Sequence, residues 1–142
     1  MALYNSNVVK EPTFTVSDFN SPKEVENADM WIELICQLVF MEKGTYSDSP
    51  EIGVEISRYE FADLTKDAST LEMEIKDQIG MYLSDIPIGT LTVKPYYWAE
   101  RNIYVIRILV GFMNGSVSII RAIDITNEDN VLSYIIRKYD EK

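Results

Sequence analysis

Hydrophobic positions along this chain follow two periods, one after the other. Trp31, Leu34, Ile35, Leu38 and Met41 recur at helical spacing. The positions between them are also largely apolar, which predicts a buried helix in preference to a strand, opening at Asn27 or Asp29 as an N-cap. A turn around Gly44 ends it. Ser47-Asp48-Ser49-Pro50 then supplies capping residues and a proline, so a second short helix is expected from about Pro50 to Tyr59, with Ile52, Ile56 and Tyr59 on one face. Ser69-Thr70-Leu71-Glu72 is a capping box that opens a third helix, whose stripe of Leu71, Ile75, Ile79, Tyr82, Leu83 and Ile86 runs up to Pro87.

Beyond Pro87 the period becomes two. Gly89 to Val93 predicts a short strand, and Pro95 with Tyr96-Tyr97-Trp98 marks an edge or bend. Arg101 to Phe112 and Ser116 to Ile125 predict a hairpin across Asn114-Gly115. With Met113 opposite Ser116, the residues Phe112, Val110, Ile108, Ile106 and Tyr104 face Val117, Ile119, Arg121, Ile123 and Ile125. That face is apolar except at Arg121 and should pack on the helices. The reverse face sets Leu109 against Ile120 and Arg107 diagonal to Asp124. Asn130 to Tyr139 reads equally as helix or strand. The first 27 residues hold Pro12, Ser21 and Pro22 without a sustained period and are expected to be extended, with Thr13 to Val16 able to add as a strand. The expected organisation is an arm over 1–27, a single domain over 28–129 and a C-terminal segment over 130–142. Its fold class is α+β, with about three helices packed on one face of a small, mainly antiparallel sheet that carries a C-terminal hairpin.

Composition narrows the functional classes. The 142 residues suit one domain with a sizeable core. With 23 Asp and Glu against 13 Lys and Arg, the formal net charge is −10, which disfavours a grip on nucleic-acid phosphate and favours solubility or a basic partner surface. The one cysteine, Cys36, lies in an apolar run and suits a small buried thiol; it permits no intrachain disulfide. No signal peptide is read at the N-terminus, and the longest apolar stretches are too short and too interrupted to span a bilayer. Histidine is absent, which removes the usual catalytic triads and the commonest metal ligand. A glycosidase-type pair drawn from Glu42, Glu51, Glu55 or Glu60 with Asp48 or Asp63 is the remaining enzymatic scheme, and it requires one carboxyl in an apolar pocket beside an ionised partner. Solvated or capping roles account for these acids more simply, because with 23 acids in the chain close pairs arise by chance. No EF-hand spacing, cysteine cluster or phosphate-cradling loop is present. The expectation is a non-catalytic protein without cofactor or metal.

The segment from Met41 to Asp63 has an unusual order of turn, proline, glycine and aromatic residues: Lys43-Gly44-Thr45-Tyr46, Pro50-Glu51-Ile52-Gly53, then Ile56, Tyr59 and Phe61. It resembles the GPW/gene-25-like family, the small wedge proteins of phage baseplates and related contractile injection machines. The family motif maps onto Gly44, Tyr46, Pro50, Gly53, Tyr59 and Phe61, with Tyr46 where arginine is common. A Glu-Pro-Arg tripeptide after the third helix docks relatives onto a bundle of baseplate helices; here Ile86, Pro87 and Ile88 stand in that place. Proline is kept, and an apolar contact replaces a charged one, or the two isoleucines simply belong to the core. Tyr96, Tyr97 and Trp98 suit an interface or an edge strand tucked on its own core. The resemblance implies a structural wedge subunit in the virion of a contractile-tailed phage, made in the bacterial cytoplasm. Its implied partners are larger baseplate wedge proteins, the tail sheath protein, and tube-initiator or hub-proximal proteins; neither nucleic acid nor membrane is among them. Sheath strands would add to its sheet. The alternatives are a peptidoglycan-cleaving enzyme and the equivalent subunit of a contractile secretion system.

Overall fold

The computed structural model describes residues 20–64, 67–114 and 117–138. Three helices, α1 (Asn20–Phe40), α2 (Phe61–Leu64) and α3 (Ser69–Tyr82), precede four strands, β1 (Ile88–Trp98), β2 (Ile103–Asn114), β3 (Val117–Glu128) and β4 (Val131–Lys138). The strands form one antiparallel meander in the order β1-β2-β3-β4. The expected α+β architecture is therefore the observed one. α1 packs chiefly on β3 and α3 on β1. The core between them holds Ile32, Ile35 and Val39 of α1, Leu71 and Ile75 of α3, and Ile106, Ile108, Phe112, Ile119, Ile123 and Ile125 of the sheet. Each such side chain contributes about 1.5–3 kcal/mol by leaving water. Trp31 tilts against Phe112 at 5.4 Å between ring centroids, and Phe40 against Tyr134 at 5.2 Å.

Several elements depart from the sequence-based expectation. α1 begins at Asn20, inside the segment expected to be extended. Pro22 falls in its first turn, where a missing N–H breaks no helical bond. Asp29 is consequently a mid-helix residue and no N-cap. The rest of the arm, including Thr13 to Val16, lies outside the described residues. No helix spans Pro50 to Tyr59. Gly53 at φ +117° and Glu55 at φ +56° interrupt it, and the amides of Val54 and Glu55 donate to Leu38 and Met41 at the end of α1, 3.0 Å each, instead of to their own segment. Only a short 3-10 turn, Ile56–Arg58, remains.

α3 is capped differently from a capping box. Asp67 accepts from the Ser69 amide (3.0 Å) and hydroxyl (2.7 Å). Glu72 reaches across to the Val93 amide of β1 (2.9 Å) and to Lys76 (3.1 Å). β1 runs through Pro95 for eleven residues. In the β2–β3 hairpin the described side chains keep their predicted faces, but the pairing is shifted by two: Phe112 faces Ile119, Leu109 faces Ala122, and Arg107 stands directly opposite Asp124. A two-residue shift preserves the faces. It also brings Asp124, which is 4% exposed, against a cation, and a buried carboxylate needs such a partner. The tail is strand β4, turned back on β3 by Asp129 and Asn130 at φ +53° and +66°. Two successive left-handed residues are the geometry of a type I′ hairpin.

Candidate functional site

The residues singled out by sequence fall into three places. The first is the loop between α1 and α2. Gly44, at φ +89°, donates its amide to the Pro50 carbonyl at 2.8 Å and closes the turn. Tyr46 at its tip is exposed. Gly53 is pressed on the end of α1, so that a Cβ there would stand 2.4 Å from the Met41 carbonyl oxygen. Gln78 of α3, buried, fastens the loop with two bonds: its Oε1 accepts from the Gly53 amide (2.8 Å) and its Nε2 donates to the Glu51 carbonyl (3.0 Å). Tyr59 donates its hydroxyl to Glu74 of α3, which also pairs with Arg58 (2.6 Å) and Lys43 (3.2 Å). Phe61 is buried in the core. These residues clamp a loop to two helices, a positioning role. Of the acids considered for catalysis, Glu42, Asp48, Glu51, Glu60 and Asp63 are exposed, and Glu55 is half-buried with Oε1 accepting from the Lys43 amide.

The second place joins α3 to β1. Ile86 is buried in the core, the Pro87 carbonyl accepts the Met113 amide at 2.9 Å, and Ile88 opens β1 opposite Phe112. Pro87 and Ile88 are half-buried.

The third place is the sheet face turned away from the helices. Tyr96, Tyr97 and Trp98 do not form one patch, because successive residues of a strand point to opposite sides. Tyr97 tilts against Tyr104 at 5.2 Å between ring centroids on the helix side. Tyr96 and Trp98 join Val105, Asp124, Ile135 and Arg137 around a depression of about 280 Å³ on the open side. Asp124 anchors it. Arg107 donates from Nε (2.7 Å) and Nη2 (2.8 Å) to the two carboxylate oxygens, and Arg137 donates from Nε (2.7 Å). The Arg107 guanidinium also lies 5.3 Å over the Tyr96 ring. Burial pushes the Asp124 carboxyl up, but the bonds and charges of the two arginines outweigh it and hold the group below the usual carboxylate range. Glu74 behaves alike: burial raises it, and the bonds from Tyr59, Arg58 and Lys43 hold it low. Burial and the Glu74 contact push Tyr59 up to about 12.

A carboxyl depressed in the folded state stabilises the fold above its unfolded pKa, and that contribution is lost as pH falls through the folded value. Stability should therefore drop below about pH 4. Asp124→Asn and Glu74→Gln should each flatten that acid limb in urea titrations at stepped pH; an unchanged slope in both would remove these two groups as its source.

The strand edges differ in character. The Val93 amide is taken by Glu72, so it points away from β2, and residues of the same parity point the same way. Pro95 therefore stands where an outward N–H would be, which is why proline is tolerated in this strand. Carrying this parity through the three registers places the outward backbone groups of β4 at Leu132, Tyr134 and Ile136. Within the described sheet no strand lies beyond β4.

The arginine pair on Asp124 was only half legible. Arg107 and Asp124 are visible from the hairpin pattern, whereas Arg137 enters only once β4 is known to be a strand. Buried Arg121, 0% exposed, was recognisable as the one polar residue on a core face, but its contact with Asp29 on α1 was not; its Nε and Nη2 lie 2.7 Å from Asp29 Oδ1. Among the described residues no helix is long and apolar enough to cross a membrane, and no group of three or more Asp, Glu or Cys is arranged to hold a metal ion. Comparison with family models, curated proteins and solved structures found no match for this chain.

Proposed function

We propose that this chain is a structural wedge subunit of a contractile-tail baseplate, which joins larger wedge proteins to the first ring of the tail sheath and offers its sheet as a template for added strands. Its setting in this reading is the virion, its action is non-catalytic, and tube-initiator or hub-proximal proteins complete its neighbours. The observation that carries the reading is the inequality of the two sheet edges. An edge strand with outward backbone groups is a ready site for another chain's strand. β1 is blocked at its centre by Glu72 and Pro95, whereas β4 ends the sheet with its outward groups at Leu132 and Ile136 bonded to no other described element. The loop fastened by Gln78 and Glu74 ties α1 to α3 on the helix-covered face of the sheet, so the edge belongs to a packed two-layer unit.

Amide hydrogen exchange tests this. In the isolated chain the Leu132 and Ile136 amides should exchange quickly. On adding a contractile sheath protein with its terminal strands intact they should slow by about tenfold or more, while the amides of β1 do not change. Protection of β1 with none at β4 would reverse the assignment of the edge, and no binding to sheath or wedge proteins would sink the baseplate reading.

A further inference from the structure

The open face of the sheet carries more cations than its own carboxylates neutralise. Lys94, Arg107, Asp124 and Ile135 stand on one rung across all four strands, and Arg137 occupies the next position on β4 opposite Ala122. Lys94, Arg107 and Arg137 thus share Asp124 along this stripe, while at the other end of the depression Arg101 is paired with Glu128 at 2.7 Å. Asp124 binds Arg107 and Arg137, and Lys94 is exposed with no carboxylate in ion-pair distance among the described residues. The rest of the chain is strongly acidic, since the whole carries −10. Asp124 also fixes both guanidinium groups: three short bonds hold them in place before any ligand arrives. The remaining terminal nitrogens of Arg137 donate to no described residue. A pre-oriented guanidinium loses little freedom when it takes a carboxylate and binds it in a planar, two-point manner. Beside this stripe, Tyr96, Trp98, Val105 and Ile135 wall the depression with apolar surface.

We infer that this face is a docking surface for an acidic, extended segment of a partner protein, with its carboxylates on Lys94, Arg107 and Arg137 and one apolar side chain in the depression. The spacing fits. Three strand intervals separate β1 from β4, about 14 Å, and an extended segment covers that distance between residues i and i+4. A carboxylate at each end then reaches Lys94 and Arg137 while the chain crosses Arg107. The inference concerns a different surface from the β4 edge and holds whichever machine the chain belongs to.

The test is a titration of the ¹⁵N-labelled full chain with a short synthetic peptide that alternates glutamate with threonine and carries one central leucine. Amide shifts should gather at Lys94, Tyr96, Arg107, Ile135 and Arg137 and at the Trp98 indole. Lys94→Glu and Arg137→Met should each weaken binding by about tenfold, while Lys76→Glu, an equal charge change on α3, should leave it unaltered. A matched circular-dichroism melt keeps loss of fold apart from loss of binding, and Lys94, with no ion pair to lose, keeps the test valid if Arg137→Met unfolds. Shifts confined to the β4 edge or the helices, equal binding by a glutamine-for-glutamate peptide, insensitivity to Lys94→Glu, or tighter binding of a single-stranded oligonucleotide at the same face would each overturn the inference.

Discussion

Replacing Asp29 by alanine is expected to destabilise the fold by about 3–5 kcal/mol. Arg121 is fully buried on the core face of β3, and its guanidinium lies against the Asp29 carboxylate. Removing that carboxylate takes the Asp29 charge away from a fully buried guanidinium, and from Lys138, whose Nζ lies 3.6 Å from it. The cost is therefore far above that of a surface pair. Against a total stability of roughly 5–15 kcal/mol the loss is large, and the melting temperature should fall by on the order of 10 °C. The compensating pair, Asp29→Leu with Arg121→Met, removes both charges and should recover most of the loss, because a buried ion pair and a packed apolar pair of similar volume are often near equal in stability. Denaturant titration of the three proteins decides it. A cost under about 1 kcal/mol for Asp29→Ala, or no recovery in the double variant, would show that the pair does not act as described.

Gly53→Ala should be the second severe change, about 3 kcal/mol or more, and Gly44→Ala the mild comparison at about 1 kcal/mol. Both glycines have positive φ, +117° and +89°. What separates them is space. A Cβ at Gly44 meets nothing within 4 Å, while one at Gly53 falls 2.4 Å from the Met41 carbonyl oxygen. That oxygen cannot withdraw cheaply, since it accepts the Glu55 amide at 3.0 Å. Gly53 itself donates to Gln78, so displacing it also loosens the contact between the loop and α3. Equilibrium unfolding should rank the two variants widely apart, and similar losses at both sites would mean that strain of the backbone, not the contact with α1, sets the cost.

Much of the fold was legible because burial imposes a period. The apolar run of α1, the stripe of α3 and the alternation of β2 and β3 each follow from one face meeting the core. What could not be read were the places where the same residue types serve two ends. Ser21 and Pro22 suit a loop and equally a first helical turn. Ser49 and Pro50 suit a helix start, but the left-handed backbone at Gly53 and Glu55 sends the next amides to α1. Glu72 suits a capping box, yet it is drawn to the Val93 amide because an edge strand packed under a helix has a donor to satisfy. The β3–β4 turn was available in Asp129-Asn130, a pair suited to positive φ, and reading it would have made the tail a strand and brought Arg137 beside Asp124.

By itself, then, the sequence determined the faces: which side of each strand and helix is apolar, where helices give way to strands, and that the chain carries excess negative charge. Tertiary structure decided the partners. Register moved by two residues without moving a described side chain to the other face, because period-two patterning is blind to such a shift. The choice was left to long-range pairing of charges, Arg107 with Asp124 and Arg121 with Asp29. Which edge is blocked and which is presented likewise rests on contacts between segments distant in the chain, which no local pattern encodes.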